Sequence, residues 1–240
     1  MGAKVAASVA GTVDPMEYED ALATVRVELE RLGDPERAIA MAAYMKTDMP
    51  CLGVASPDRT PILRRLVADI PATDRQTYEG VVRSLWGRQY REEKYLAIRY
   101  ARSFPAFIDT QSIPLYRTLI VEGAWWDFVD ESAVRLVGGA LSNDHLSVEP
   151  VVRSWIRDED RWLRRTSIIC QLAARADTDL SLLSDACVAN VQDSDFFIRK
   201  AIGWALREYA KTDPDWVRSF VAAHREVLAG LSIREATKHL

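Results

Sequence analysis

Apolar side chains recur at intervals of three and four along almost the whole chain, and no period-two alternation long enough for a strand interrupts them. The pattern predicts helices over 17–31, 35–46, 59–70, 75–86, 91–102, 114–122, 125–141, 148–157, 161–175, 179–191, 196–211 and 214–223. Start signals stand at Asp34-Pro35, Ser56-Pro57, Asp74, Ser147, Asp177 to Asp179, Ser194 and Asp213-Pro214. Gly33, Gly53, Gly87, Gly123 and Gly230 fall near the predicted ends. Residues 1–14 are rich in Ala, Val and Gly without a continuous apolar run, which reads as a disordered tail rather than a signal peptide. The rest, 15–240, is expected to form a single domain.

A weak period runs through these helices. Tyr90, Trp126, Trp162 and Phe197 enter long helices at spacings of 36, 36 and 35 residues, and Trp162 and Phe197 are followed by similar patterns. Helix pairs at that period predict an all-α fold, an α-solenoid of HEAT-like repeats whose concave wall is a binding surface.

Composition narrows what such a wall holds. With 31 basic and 35 acidic residues the net charge is −4, so any basic surface is local. Cys51, Cys170 and Cys187 lack CxxC spacing and the three histidines stand far apart, which supports neither a disulfide framework nor a metal site and makes a reducing, cytoplasmic setting the default. No apolar run approaches the roughly 18 residues of a membrane span. Phosphate-loop, dinucleotide, zinc-protease and nucleophile-elbow motifs are missing as well.

The segment Trp125-Trp126-Asp127-Phe128-Val129-Asp130 joins aromatic faces to carboxylates at helical spacing. Trp126 and Asp130, at i and i+4, share a face, while Trp125 points to the core over Phe128 and Val129. Asp130 heads an otherwise apolar stripe and so requires a cation, either a ligand or a side chain such as Arg165; a helix-start carboxylate or a structural ion pair fits the pattern equally. In helix 196–211 the core stripe is Ile198, Ile202, Ala205 and Tyr209, and Trp204 falls outside it with Phe197, Lys200, Glu208 and Lys211. Trp204 therefore either packs on a neighbouring helix pair or stacks on nucleic acid among lysines. Arg161, Arg164, Arg165, Arg199, Lys200 and Lys211 make the last third locally basic near helix N-termini, a phosphate-binding pattern when they share one wall and a solvated face when they do not.

These residues resemble a known family. Trp125-Trp126-Asp127-x-Val129-Asp130, Trp162-Leu163-x-Arg165 and the run from Phe196 to Lys211 resemble the AlkD-type alkylpurine DNA glycosylases, as do Ala43-Tyr44-Met45-Lys46, Leu52-Gly53 and Arg234-Glu235-Ala236-x-Lys238-His239. The resemblance spans about residues 17–240, and Arg164 and Thr166 beside Arg165 depart from its pattern. It implies a HEAT-like repeat monomer that hydrolyses the N-glycosidic bond of cationic N3- or N7-alkylated purines in duplex DNA, bulky adducts included, with no metal or nucleotide cofactor. Asp130 would be the catalytic carboxylate, Trp126 and Trp204 the aromatic walls, Arg165 a backbone contact and Tyr44 an accessory aromatic. Arg164, Lys200, Phe197 and Lys211 are the further candidate DNA contacts. The rival expectation is a noncatalytic HEAT-like module that binds DNA or protein through the same wall.

Overall fold

The computed structural model describes residues 15–240, with side chains from residue 18 on; the tail expected over 1–14 lies outside the described residues. The all-α, HEAT-like repeat architecture expected from the periodicity is the one found. Among the described residues there is no strand, and no helix is long and apolar enough to cross a membrane. The helices gather into two compact units that meet in the chain between Phe104 and Pro105.

The first unit contains α1 (Pro15–Arg31), α2 (Pro35–Met45), α3 (Ser56–Asp69), α4 (Arg75–Trp86) and α5 (Arg91–Arg102). Leu22 and Leu29 of α1, Leu66 of α3, Val81 and Leu85 of α4, and Leu96 of α5 form its apolar centre. Asp34 and Asp74 cap α2 and α4 as anticipated, each accepting a backbone N–H three residues on. The loop before α3 is held by a carboxylate: Glu92, fully buried, accepts from the N–H groups of Leu52, Gly53 and Val54 at 3.0, 2.9 and 3.2 Å. Gly53 adopts φ 79, and a Cβ there would lie 2.1 Å from the Asp34 carbonyl, so the Leu52-Gly53 pair is fixed by backbone geometry.

The second unit contains α6 (Ile113–Gly123), α7 (Trp126–Glu131), a π-helical turn (Ser132–Val137), α8 (Gly138–Asn143), α9 (His145–Trp155), α10 (Arg161–Ile169), α11 (Leu180–Ala189), α12 (Phe196–Tyr209), α13 (Pro214–Ala223) and α14 (Gly230–Ala236). Its repeat is visible in the caps. Asp160 accepts from the N–H groups of Trp162 and Leu163, and Asp195 from those of Phe197 and Ile198. Two residues earlier, Asp158 and Asp193 each accept the N–H of the capping aspartate, so the same Asp-x-Asp turn introduces α10 and α12.

Three differences from the periodicity accompany specific contacts. The helix expected over 125–141 passes through the π turn, whose extra residue buries Ser132 with Ala133 and Leu136 with Val137 in adjacent pairs. The helix expected over 161–175 ends at Ile169; Gln171 then bonds the backbone of Asp179 in both directions, at 3.1 and 2.7 Å, and pulls the chain out of helical register. Gly230 opens α14 instead of ending a helix, and α14 packs on α12 where Gly203 leaves no room for a Cβ, 2.5 Å from that of Glu235.

Gly138 is the tightest of these contacts within the unit's core, since a Cβ there would stand 2.1 Å from the Cys170 carbonyl oxygen. Gly138→Ala is expected to lower unfolding free energy by about 3 kcal/mol in urea denaturation. Gly87→Ala, at φ −70 with its nearest neighbour 3.4 Å away, should raise it by about 0.4–1 kcal/mol. Equal effects at the two positions would contradict this packing.

Candidate active site

The chain turns sharply before α7. Ala124 takes φ 42, in the left-handed region that glycine favours, and Trp125 follows in extended conformation. The Trp125 carbonyl accepts from Phe128 and Val129, closing the first turn of the helix. Its ring lies 6.2 Å from Trp162 and 5.4 Å from Phe197, which are 5.0 Å from each other. Three aromatics from consecutive repeats thus interlock. Trp125 is half-buried in this cluster, with an indole Nε1 that is buried and lacks a hydrogen-bond acceptor among the described residues. Phe197, a candidate DNA contact by sequence, is part of the same cluster.

Asp130 lies one helical turn after Trp126, and its cation is Arg165. The guanidinium donates Nε to Oδ1 at 2.7 Å and Nη2 to Oδ2 at 2.8 Å, a bidentate pair, and donates Nη1 to the Phe197 carbonyl at 2.6 Å. Arg165 is 5% exposed, so α7, α10 and α12 are tied together through one nearly buried side chain. Burial pushes the Asp130 carboxyl above the ordinary carboxylate range; the Arg165 bonds and charge oppose that rise and nearby Asp127 adds to it. Each carboxylate oxygen takes one hydrogen bond from Arg165 and keeps a lone pair free for a second partner.

Asp130 opens onto a cleft of about 920 Å³ that Trp126 and Trp204 also line. Trp204 is half-buried, outside the core stripe of Ile198, Ile202 and Ala205, as the helical geometry anticipates. Among the described residues it has no ring contact or hydrogen bond. The rest of the cleft is mostly polar, with Asp127, Glu131, Arg135, Arg175, Asp177 and Glu208 at its surface. Among the described residues no three of His, Cys, Asp and Glu gather as a metal site requires.

The other candidate cations are already engaged. Arg164 donates to the Asp158 and Glu159 carbonyls and to Asp193, at 2.7, 3.0 and 3.0 Å, and Arg199, at the equivalent repeat position, donates to the Asp193 carbonyl at 2.8 Å. Both arginines staple the Asp-x-Asp turns. Lys200 and Arg207 hold Glu235 of α14, lowering its carboxyl below the usual range, and Lys211 pairs with Glu208 at 2.7 Å. Tyr44, in the first unit, is 72% exposed on α2. Arg135 and Arg175, which the residue pattern does not single out, also line the cleft: one sits in the π turn, the other has φ 55, and neither feature has a signature in the sequence.

The family described as DNA alkylation repair enzyme matches residues 25–240. A solved structure, a predicted DNA alkylation repair enzyme from Enterococcus faecalis, is similar with a TM-score of 0.80 and 28% identity, over 87% of this chain and 96% of that one. Among curated proteins no match is found.

The Asp130–Arg165 pair has a thermodynamic signature. An acid whose folded pKa is raised binds its proton more tightly in the folded state, so its contribution to stability falls as pH rises from the unfolded value through the folded one. Arg165→Met removes the opposing bonds, so it is expected to extend that fall to higher pH and to cost about 3 kcal/mol near neutrality. Urea denaturation between about pH 4 and 8 measures it. Adding Asp130→Asn should restore most of the loss and flatten the pH dependence; a double variant no more stable than Arg165→Met would contradict the pairing.

Proposed function

The chain belongs to the DNA alkylation repair enzymes, and from that premise we propose that it is a monofunctional DNA glycosylase acting on cationic N3- or N7-alkylated purines in duplex DNA. Its part in repairing alkylation damage follows from the family. The observation that carries the finer reading is Asp130: a carboxylate held in one orientation by a bidentate arginine, opening onto a cleft that two tryptophans also line.

Alkylation at N3 or N7 leaves the purine positively charged, so it departs with the electron pair of the N-glycosidic bond and becomes neutral without an added proton. The charge then moves to deoxyribose. An ionised Asp130 opposes the developing oxocarbenium-like charge and orients a water whose oxygen bonds to C1′, the released proton passing to the carboxylate or solvent. Arg165 acts as a positioning residue: it keeps the carboxylate ionised against the pull of burial and fixes which lone pairs face the cleft. With three guanidinium N–H groups committed inside the protein, it contacts the DNA backbone only secondarily to that task. Trp126 and Trp204 offer faces attractive to the cationic sugar, each contributing about 0.5–2 kcal/mol. An open cleft does not require the modified base to enter an enclosed pocket, which accommodates bulky adducts as well as methyl groups.

Wild-type protein is expected to release N7-methylguanine from methylated duplex DNA and to leave unmodified guanine in place. Release should weaken at acid pH, with a midpoint above the ordinary carboxylate range, since the protonated form of Asp130 cannot oppose a cation. Trp126→Ala and Trp204→Ala should each slow single-turnover release by about 10-fold. Binding to DNA that is indifferent to alkylation, with no base released, would favour the noncatalytic module instead.

A further inference from the structure

The cleft around Asp130 carries a charge problem for any DNA ligand. Its lining includes five carboxylates, Asp127, Asp130, Glu131, Asp177 and Glu208, which suit a cationic nucleotide and repel the phosphates that bring it. Asp130 is matched by Arg165 and Glu208 by Lys211, and Arg164, Arg199 and Lys200 are engaged by protein carboxylates and carbonyls. Two cations of the lining remain, Arg135 and Arg175. Both are exposed, and among the described residues neither guanidinium has a hydrogen-bond or ion-pair partner.

Each is delivered by irregular backbone. Arg135 belongs to the π-helical turn, where Ser132, Ala133, Leu136 and Val137 are buried while Val134 and Arg135 line the cleft. Arg175 takes φ 55, a left-handed conformation unfavourable for any residue with a Cβ. The Arg175 carbonyl accepts from both the N–H and the hydroxyl of Thr178, which stabilises the turn without engaging the guanidinium. Both irregularities place a positive charge at the same opening.

We propose that Arg135 and Arg175 are the phosphate-binding cations of the cleft, gripping the backbone of the strand whose alkylated nucleotide faces Asp130. This rests on the reading of the cleft as a DNA site and adds to it how a polyanion enters a carboxylate-rich opening. Specificity and grip are divided: the carboxylates favour the cationic nucleotide, and the two arginines hold the phosphates beside it.

The test is equilibrium binding of the full chain to a duplex carrying a tetrahydrofuran abasic analogue, titrated from about 50 to 200 mM salt. Arg135→Gln and Arg175→Gln should each weaken binding about 5-fold at the lower salt and each reduce the slope of log affinity against log salt by about 1, the double variant by about 2. Arg175→Lys should keep the wild-type slope, and Arg175→Gly, which relieves the left-handed conformation, should lose affinity while melting no lower than wild type. A double variant with wild-type affinity and slope overturns the proposal, as does wild-type binding with no salt dependence. Base release is not read in this assay, so failure of the glycosylase chemistry would leave the phosphate measurement intact, and the reverse also holds.

Discussion

Arg165 is the side chain on which the second unit's site depends. A nearly buried guanidinium must find acceptors for its donors, and here they come from two other elements: the Asp130 carboxylate on α7 and the Phe197 carbonyl at the start of α12. Removing any one partner would leave a charge or a donor stranded at low dielectric, so the three repeats are fixed in relation to one another by electrostatics as well as packing. The aromatic cluster of Trp125, Trp162 and Phe197 supplies the apolar half of the same junction. The face of Asp130 that Arg165 leaves open is the one on which the proposed function rests.

That arrangement resolves a tension in the chemistry. A carboxylate in a partly buried site tends to protonate, which would make it useless against a cation, whereas one fully exposed to water is too well solvated to exert much field. Burial raises the carboxyl pKa of Asp130 and Arg165 opposes the rise, so the group is kept available for ionisation in a place where its charge is only partly screened. The repeat architecture contributes by making such a junction out of short local pieces. The same Asp-x-Asp turn opens α10 and α12, and each turn is locked by an arginine four residues into its own helix.

Much of this can be read from residue order. The i and i+4 relation of Trp126 and Asp130, the exclusion of Trp204 from the stripe of Ile198 and Ile202, and the need of Asp130 for a cation such as Arg165 all follow from helical geometry and the cost of burying charge. What could not be read is where the backbone leaves ideal geometry. The π turn at Ser132–Val137 and the left-handed Arg175 lie beside contacts, such as Gln171 with Asp179 and Gly138 against Cys170, that no residue pattern encodes. Charge counts leave the pairing of basic residues out for a related reason. The acceptors that Arg164 and Lys200 engage, Asp193 and Glu235, lie 29 and 35 residues away along the chain.

The central claim is that the carboxylate of Asp130 opposes the charge that forms on deoxyribose. Asp130→Asn tests it most directly, because the amide oxygen can still accept from Arg165 while the charge is lost. Single-turnover release of N7-methylguanine from duplex DNA at saturating protein, with folding checked by thermal melting, should be slower than wild type by about 100-fold or more. Release at the wild-type rate by the folded variant would contradict the claim and leave the Asp130–Arg165 pair a purely structural one.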